Sequence, residues 1–102
     1  MKKVRRRYLL FKLHQEESLV DEKQLSASLW KSLLSLYGEI QASDSKLYII
    51  EYDEKTGEGI LQCSLPSLPQ VIAAAAVIGT INGIAVSFEP RKTSGTIKSL
   101  KR

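Results

Sequence analysis

Apolar and polar residues alternate along the first well-patterned stretch of the chain, Arg6 to His14. Leu9, Phe11 and Leu13 fall on one side, and polar or basic residues take most of the other. Successive side chains of a β-strand point to opposite faces of the sheet, so this alternation predicts a strand with one face on a core. Because later strands need a partner, we expect this first strand to be central.

The next pattern is helical. Asp21 is a capping residue in front of it, with an acid in the first turn, and Gly38 is expected to end it. The apolar residues between them recur every three or four positions, which predicts an amphipathic helix with one face on the core. They are Leu25, Leu29, Leu33 and Leu36.

Two strands are then predicted on either side of a hairpin loop. Residues 46–53 are rich in β-branched and aromatic side chains, which favour strands. Their inward phase is ambiguous, because Leu47 and Ile49 compete with Tyr48, Ile50 and Tyr52. Residues 59–64 form the partner strand, with Leu61 and Cys63 inward.

A short helix without charge is predicted from about Leu68 to Ile78, inside a segment that carries no charge between Glu58 and Glu89. A helix with no polar face is either buried on all sides or covered by a partner. Since a domain of this size rarely buries a helix completely, we predict a protein interface here. We assign it to Val71, Ala74, Ala75 and Ile78, and the open sheet face with Leu10 and Ile60 is the alternative.

The last strand is predicted over Ile84–Phe88, after a turn at Asn82-Gly83, and Pro90 is expected to end it. The order strand, helix, strand, strand, helix, strand predicts an α+β fold of the ferredoxin-like, RRM-like βαββαβ type with a four-stranded antiparallel sheet. In that plan the first and third strands are central, and the last strand lies antiparallel beside the first.

Charge is distributed unevenly along the chain, which we interpret as one domain over residues 1–102. The segment 1–12 contains six Lys or Arg residues and segment 90–102 contains five, and neither contains an acid. The intervening residues contain four bases against eleven acids. We therefore expect a basic N-terminal arm (1–7) and a basic C-terminal tail (90–102), which ends in a short helical segment, on an acidic body.

If the first and last strands are antiparallel neighbours, the arm and the tail leave the same edge of the sheet and form one basic pole. Lys and Arg contact nucleic-acid phosphates by charge, and Ser94-Gly95-Thr96 offers backbone amides to an anion at the start of a short helix. Flexible, solubilising ends are the alternative. The residues predicted to bind RNA are Arg5, Arg6, Arg7, Arg91, Lys92, Ser94, Gly95, Thr96, Lys98, Lys101 and Arg102.

Base recognition by the sheet itself has weaker support in the sequence. RRM domains stack bases on aromatic side chains of their central strands. Here the first strand offers Tyr8, but the third strand offers Ile60 and Gln62 where aromatic residues would be needed. We therefore expect contact with structured RNA through phosphates rather than sequence-specific reading of single strands.

Catalytic chemistry has little support. The single cysteine, Cys63, falls on the core side of its strand, and the single histidine, His14, ends a strand. Asp53, Glu54 and Glu58 surround a hairpin loop and are interpreted as a solvated turn. No cofactor motif, zinc spacing or serine elbow is present. We expect no catalytic residue, no metal and no cofactor.

The chain has no predicted membrane segment. Its longest uncharged run, Gly59 to Phe88, is interrupted by polar residues, proline and glycine. The first residues are not followed by the apolar centre of a signal peptide. We therefore expect a cytoplasmic protein.

Four segments together resemble the small Pop-type protein subunit of archaeal and eukaryotic ribonuclease P and MRP. The most distinctive is Ser94-Gly95-Thr96-Ile97-Lys98, where that family has a similar signature. Gln62 departs from the family, in which a basic residue is common at this position. The resemblance extends from about Arg6 to Arg102, and its segments are Arg7–Phe11, Tyr37–Glu39, Gly59–Cys63 and Arg91–Arg102.

The resemblance implies an RRM-like, non-catalytic subunit of ribonuclease P. Such subunits pair with an Rpp30-like protein subunit of TIM-barrel fold, and they assist a catalytic ribonuclease P RNA that removes the 5′ leader of precursor tRNA. Self-association through the uncharged helix stays open. A small-molecule-sensing regulatory domain of ACT type shares the strand order, but residues 14–18 lack the glycine its ligand crevice needs. A stand-alone nuclease is the third alternative.

Overall fold

The computed structural model of the chain describes residues 5–16 and 18–101. Lys2 and Lys3 of the predicted arm and Arg102 of the predicted tail lie outside these residues. Among the helices described, none has the length and apolar character of a membrane span. The elements are β1 (Arg6–Gln15), α1 (Glu22–Asp44), β2 (Tyr48–Tyr52), β3 (Glu58–Ser64), α2 (Leu68–Ala76), β4 (Thr80–Ile81), β5 (Ile84–Ser94) and α3 (Ile97–Leu100). A 3-10 turn at Leu65–Ser67 separates β3 from α2.

The sheet has five strands in the order β2-β3-β1-β5-β4, and every pairing is antiparallel. β1 lies between β3 and β5, as predicted for the first strand. The predicted count of four strands is wrong, because Thr80–Ile81 forms the short β4 beside the start of β5. Asn82 and Gly83 make the turn between them with φ of 51° and 80°, which confirms the predicted turn.

The core lies on one face of this sheet, under α1 and α2. Leu9, Phe11 and Leu13 of β1 are buried there, which confirms the alternation in the sequence. The ring of Phe11 stacks on Phe88 at a centroid distance of 4.8 Å and on Tyr52 at 6.2 Å. These aromatic contacts join β1 to both a neighbouring strand and the more distant β2.

Helix α1 begins where the sequence predicts but extends further. Asp21 accepts a hydrogen bond from the Gln24 amide, and Gln24 closes the capping box. Gly38, with φ of 86°, bends the helix instead of ending it, and the helical path continues to Asp44. Leu36, just before this bend, is half exposed at 49%, so the prediction that it faces the core is wrong.

A bulge in β2 resolves the phase that the sequence leaves ambiguous. Ile49 pairs with Leu61, and after one extra residue Glu51 pairs with Ile60. Ile49 therefore faces the core, and so does Tyr52 further along. The Tyr52 hydroxyl donates a hydrogen bond of 3.0 Å to the Val20 carbonyl. Burial, followed by the nearby carboxylates, raises the pKa of Tyr52 to about 12, so the hydroxyl stays a donor at neutral pH.

A second bulge carries β5 past Pro90, which we expected to end the strand. Phe11 pairs with Pro90 and Leu10 with Lys92, so Arg91 is the extra residue. Proline has no N–H to donate, and bulges are among the few strand positions that tolerate it. The first part of the basic tail is therefore a strand, paired with β1 as far as Ser94.

Helix α2 belongs to the core of this chain, which corrects our assignment of its inward residues to a protein interface. Val71, Ala74 and Ala75 are at most 1% exposed, and Ile78 packs against them partly buried. The helix is held by α1 and the sheet together, and Ser32 of α1 donates a 2.7 Å hydrogen bond to the Ala74 carbonyl. Small side chains let α2 approach closely, and the exposed residues of the helix are Pro69 and Ala76, with Val77 exposed just after it.

We predict that Gly57→Ala destabilises the fold by about 3 kcal/mol. Gly57 has φ of 80°, and a Cβ there would lie 2.1 Å from the backbone oxygen of Leu13. Gly79→Ala is the matched control, because its Cβ would meet no atom within 4 Å. Urea unfolding should show the control within about 1 kcal/mol of the parent. Equal effects of the two substitutions would contradict the close approach at Gly57.

We predict that Ala74→Glu and Ala76→Glu differ sharply, although they lie two residues apart on α2. Ala74 is buried and Ala76 is exposed. An unpaired carboxylate at position 74 should cost about 4 kcal/mol, whereas one at position 76 should cost no more than about 1 kcal/mol. Thermal unfolding with circular dichroism measures both. A stably folded Ala74→Glu variant would contradict the burial of Ala74.

Candidate nucleic-acid interface

The start of β1 and the end of β5 meet at one edge of the sheet. Tyr8 pairs with Ser94, so the arginines before Tyr8 lie beside the loop that follows β5. Arg5 and Arg6 are exposed, while Arg7 is partly buried. One guanidinium nitrogen of Arg7 lies 3.3 Å from the position that a Cβ on Gly95 would take. The structure thus places Arg5, Arg6 and Arg7 of the predicted arm beside the start of the segment that follows β5.

The segment Ser94-Gly95-Thr96 leads into the four-residue helix α3, and Thr96 caps the N-terminus of that helix. The Ser94 hydroxyl accepts a 3.2 Å hydrogen bond from the Thr96 amide, and the Thr96 hydroxyl accepts one of 3.3 Å from the Ser99 amide. Two backbone amides of this region are therefore satisfied within the chain. The contribution of these residues to an anion site stays a prediction.

Helix α3 then folds back over the face of the sheet opposite the core. Leu100 is buried, and it lines one shallow concavity together with Leu10 and Ile60. Lys101 binds the Glu51 carboxylate at 3.2 Å. Lys92 of β5 donates a 3.1 Å hydrogen bond to the Ser99 carbonyl, close to the end of α3. Both lysines therefore help to hold the tail on the sheet.

Arg91 lies apart from the other predicted RNA-binding residues, in an acidic setting. Its guanidinium is 3.7 Å from Glu58 and 3.5 Å from Glu89. Its bulge is level with Leu10 and Phe11, about 15 Å along β1 from Arg6. His14 also binds Glu89, at 2.6 Å. Hydrogen bonding with His14, and then the charge of Arg91, lower the pKa of the Glu89 carboxyl despite some desolvation.

The predicted RNA-binding cations differ in whether a carboxylate offsets their charge. Lys101 and Arg91 contact carboxylates, which offset their charge. Arg5, Arg6 and Lys98 are exposed, and within residues 5–16 and 18–101 they form no ion pair. The structure therefore leaves positive charge available at the edge where β1 starts, beside the loop before α3.

The open face of the sheet carries a second aromatic side chain that the sequence analysis missed. Tyr8 and Gln62 are register partners, and Gln62 is also the partner of Tyr48 on β2. Directly opposed residues project to the same face, so the two tyrosines lie on either side of Gln62. The ambiguous phase of residues 46–53 hid this, because nothing in the sequence located the bulge that turns Tyr48 outward.

The groups most suited to covalent or acid–base chemistry are engaged or buried. Burial raises the pKa of the Cys63 thiol to about 11, so it is not a thiolate at neutral pH. His14 is bound to Glu89. Over the part of the chain that the structure describes, no three His, Cys, Asp or Glu side chains gather closely enough to hold a metal ion. The exposed cations described above are instead suited to binding a polyanion.

Comparison with known proteins identifies the family of this chain. Proteins named ribonuclease P protein component 2 match from Archaeoglobus fulgidus (35% identity, 96% of this chain, 86% of the relative) and Pyrococcus furiosus (31%, 96% and 81%). A chain in the cryo-EM structure of yeast ribonuclease MRP has a similar fold, with a TM-score of 0.73 at 11% identity, over 94% of this chain and 79% of that one. The sequence model of the Rpp14/Pop5 family matches residues 7–102. These matches confirm the resemblance inferred from the sequence, and this chain belongs to the Rpp14/Pop5 family.

Proposed function

We propose that this chain is a non-catalytic protein subunit of ribonuclease P, which assists the catalytic RNA in removing the 5′ leader of precursor tRNA. The observation that carries the proposal is the match to the Rpp14/Pop5 family over residues 7–102, together with archaeal relatives named as ribonuclease P components. The ACT-type alternative has no support from these relatives.

The fold supports a binding role. We interpret the strand order β2-β3-β1-β5 as the ferredoxin-like, RRM-like plan, with β4 as an added edge strand. In our proposal Arg5, Arg6 and Lys98 contact phosphates of ribonuclease P RNA, because they are exposed and lack a carboxylate partner within residues 5–16 and 18–101. Arg91 and Lys101 contribute less, since carboxylates already offset their charge.

The protein partner in this proposal is an Rpp30-like subunit of TIM-barrel fold, bound on the helical side. Apolar side chains that face solvent there include Ile40 at 79% exposure, Val77 at 64% and Leu36 at 49%. Exposed apolar groups on a small chain favour a protein contact. This replaces the buried residues of α2 that we first assigned to the interface.

We predict that the full chain alone does not cleave precursor tRNA. The reason is that its one thiol is buried, with a raised pKa, and its one histidine is bound to Glu89. Cleavage is measured with labelled precursor tRNA, alone and after addition of ribonuclease P RNA with the partner subunit. Multiple turnover by purified protein without RNA would contradict the proposal.

We predict that Arg5→Gln with Arg6→Gln weakens binding to ribonuclease P RNA. Each lost phosphate contact should reduce the slope of log K against log salt by about 1, so the double variant should lose about 2. Filter binding of the full chain at several salt concentrations measures this slope.

Arg91→Gln is the matched control for this experiment. It removes a positive charge that already faces Glu58 and Glu89, so the slope should stay close to that of the parent. Equal slopes for all three proteins would show that Arg5 and Arg6 do not bind the RNA.

A further inference from the structure

One transverse row of side chains crosses the open face of the sheet near the edge where β1 starts. Tyr48 of β2, Gln62 of β3, Tyr8 of β1 and Ser94 of β5 are consecutive register partners. We call these four residues the tyrosine row. Strands are about 4.8 Å apart, so the two tyrosines are separated by about 10 Å, with the Gln62 amide between them.

The tyrosine row is accessible, and within the described residues only its Ser94 hydroxyl is engaged, as the acceptor of a hydrogen bond from the Thr96 amide. Tyr48 is 62% exposed, and Tyr8, Gln62 and Ser94 are partly exposed. Over residues 5–16 and 18–101, the hydroxyls of Tyr8 and Tyr48 and the amide of Gln62 make no hydrogen bond to other side chains or to the backbone. Tyr52, by contrast, packs on the core side and donates to Val20.

Helix α3 begins at Ile97, three residues after Ser94 of the row. Its Leu100 lines a concavity with Leu10 and Ile60, which are register partners two residues further along β1 and β3. On the other side the next register pair contains Arg6, paired with Ser64. Arg6 shares the face of Tyr8 and lies about 7 Å further along the strand. The row therefore lies between the apolar residues Leu10 and Ile60 on one side and the exposed Arg6 on the other.

We propose that the tyrosine row is a stacking site for unpaired nucleobases of RNA. Base stacking on aromatic rings contributes about 1–3 kcal/mol per base, because every base presents a π-face. In this arrangement Tyr8 and Tyr48 each stack on a base, the Gln62 amide hydrogen-bonds to a base edge, and Arg6 contacts the adjoining phosphate. The inference rests on the proposed function, since it takes RNA to be the partner.

Charge and shape favour unpaired RNA over a protein or a duplex as the occupant. Arg6 lies beside the row and has no carboxylate partner in the described chain, which suits a polyanion. The exposed row is narrow and carries a polar amide in its centre, unlike the broad apolar centre of a protein interface. In duplex RNA both faces of each base are already stacked, so only unpaired bases can use the tyrosine rings.

The test uses the full chain and a ten-nucleotide single-stranded RNA of mixed sequence, with the same sequence as a duplex for comparison. Tyr8→Leu with Tyr48→Leu keeps the apolar bulk and removes the aromatic faces. We expect this variant to bind the single strand about 10- to 100-fold more weakly, with an unchanged salt slope. Tyr8→Phe with Tyr48→Phe should retain binding to within a few-fold, which separates stacking from a structural effect. Thermal unfolding checks that both variants fold.

The outcomes separate this inference from the proposed function. If Arg5→Gln with Arg6→Gln lowers the salt slope on ribonuclease P RNA but the leucine variant binds single strands like the parent, the stacking site is overturned and the function stands. Loss of binding in the phenylalanine variant as well would also overturn stacking. A parent that binds neither RNA would overturn the site and the proposed function together.

Ultraviolet crosslinking in the reconstituted complex gives an independent measurement. The chain has four tyrosines, and the other two, Tyr37 and Tyr52, pack against the core. Crosslinks to RNA should map by mass spectrometry to Tyr8 or Tyr48. Crosslinks at Tyr37 or Tyr52, with none at the tyrosine row, would contradict the inference.

Discussion

Pairing of β1 on both of its edges is the constraint on which the rest of the structure depends. Its buried face, Leu9, Phe11 and Leu13, fixes the register with β3 and β5, because a slip of one residue would turn this set away from the core. The same register determines the open face. It aligns Tyr8 with Gln62 and Ser94, and it brings the arginines before Tyr8 beside the tail.

Two bulges then decide where the functional side chains lie. The bulge in β5 lets the strand continue past Pro90, and it leaves Arg91 among the carboxylates of Glu58 and Glu89. The bulge in β2 changes the phase of that strand, so Tyr48 faces solvent while Tyr52 reaches Phe11 in the core. Each bulge adds one residue to one strand and changes the direction of the side chains around it.

The basic tail has a structural role in the fold. Through Leu100, Lys92 and Lys101 it covers part of the open face, so some of its cations are bound within the chain. Of the exposed cations at this end of the sheet, Arg5, Arg6 and Lys98 form no ion pair within the described residues. In our proposal, the part of the tail that packs on the sheet is distinct from the surface that contacts RNA.

The sequence alone determined the elements with strong local signals and the family. The alternation in β1, the Asp21 cap, the Asn82-Gly83 turn and the Ser94–Lys98 signature each depend on neighbours a few residues apart. Tertiary structure alone decided which cations are paired, that α2 is core, and that Tyr48 joins Tyr8 across β3. Ion pairs such as Lys101 with Glu51 join residues far apart in the chain, and a bulge depends on the partner strand. No local pattern contains either, because both arise only when distant segments pack against each other.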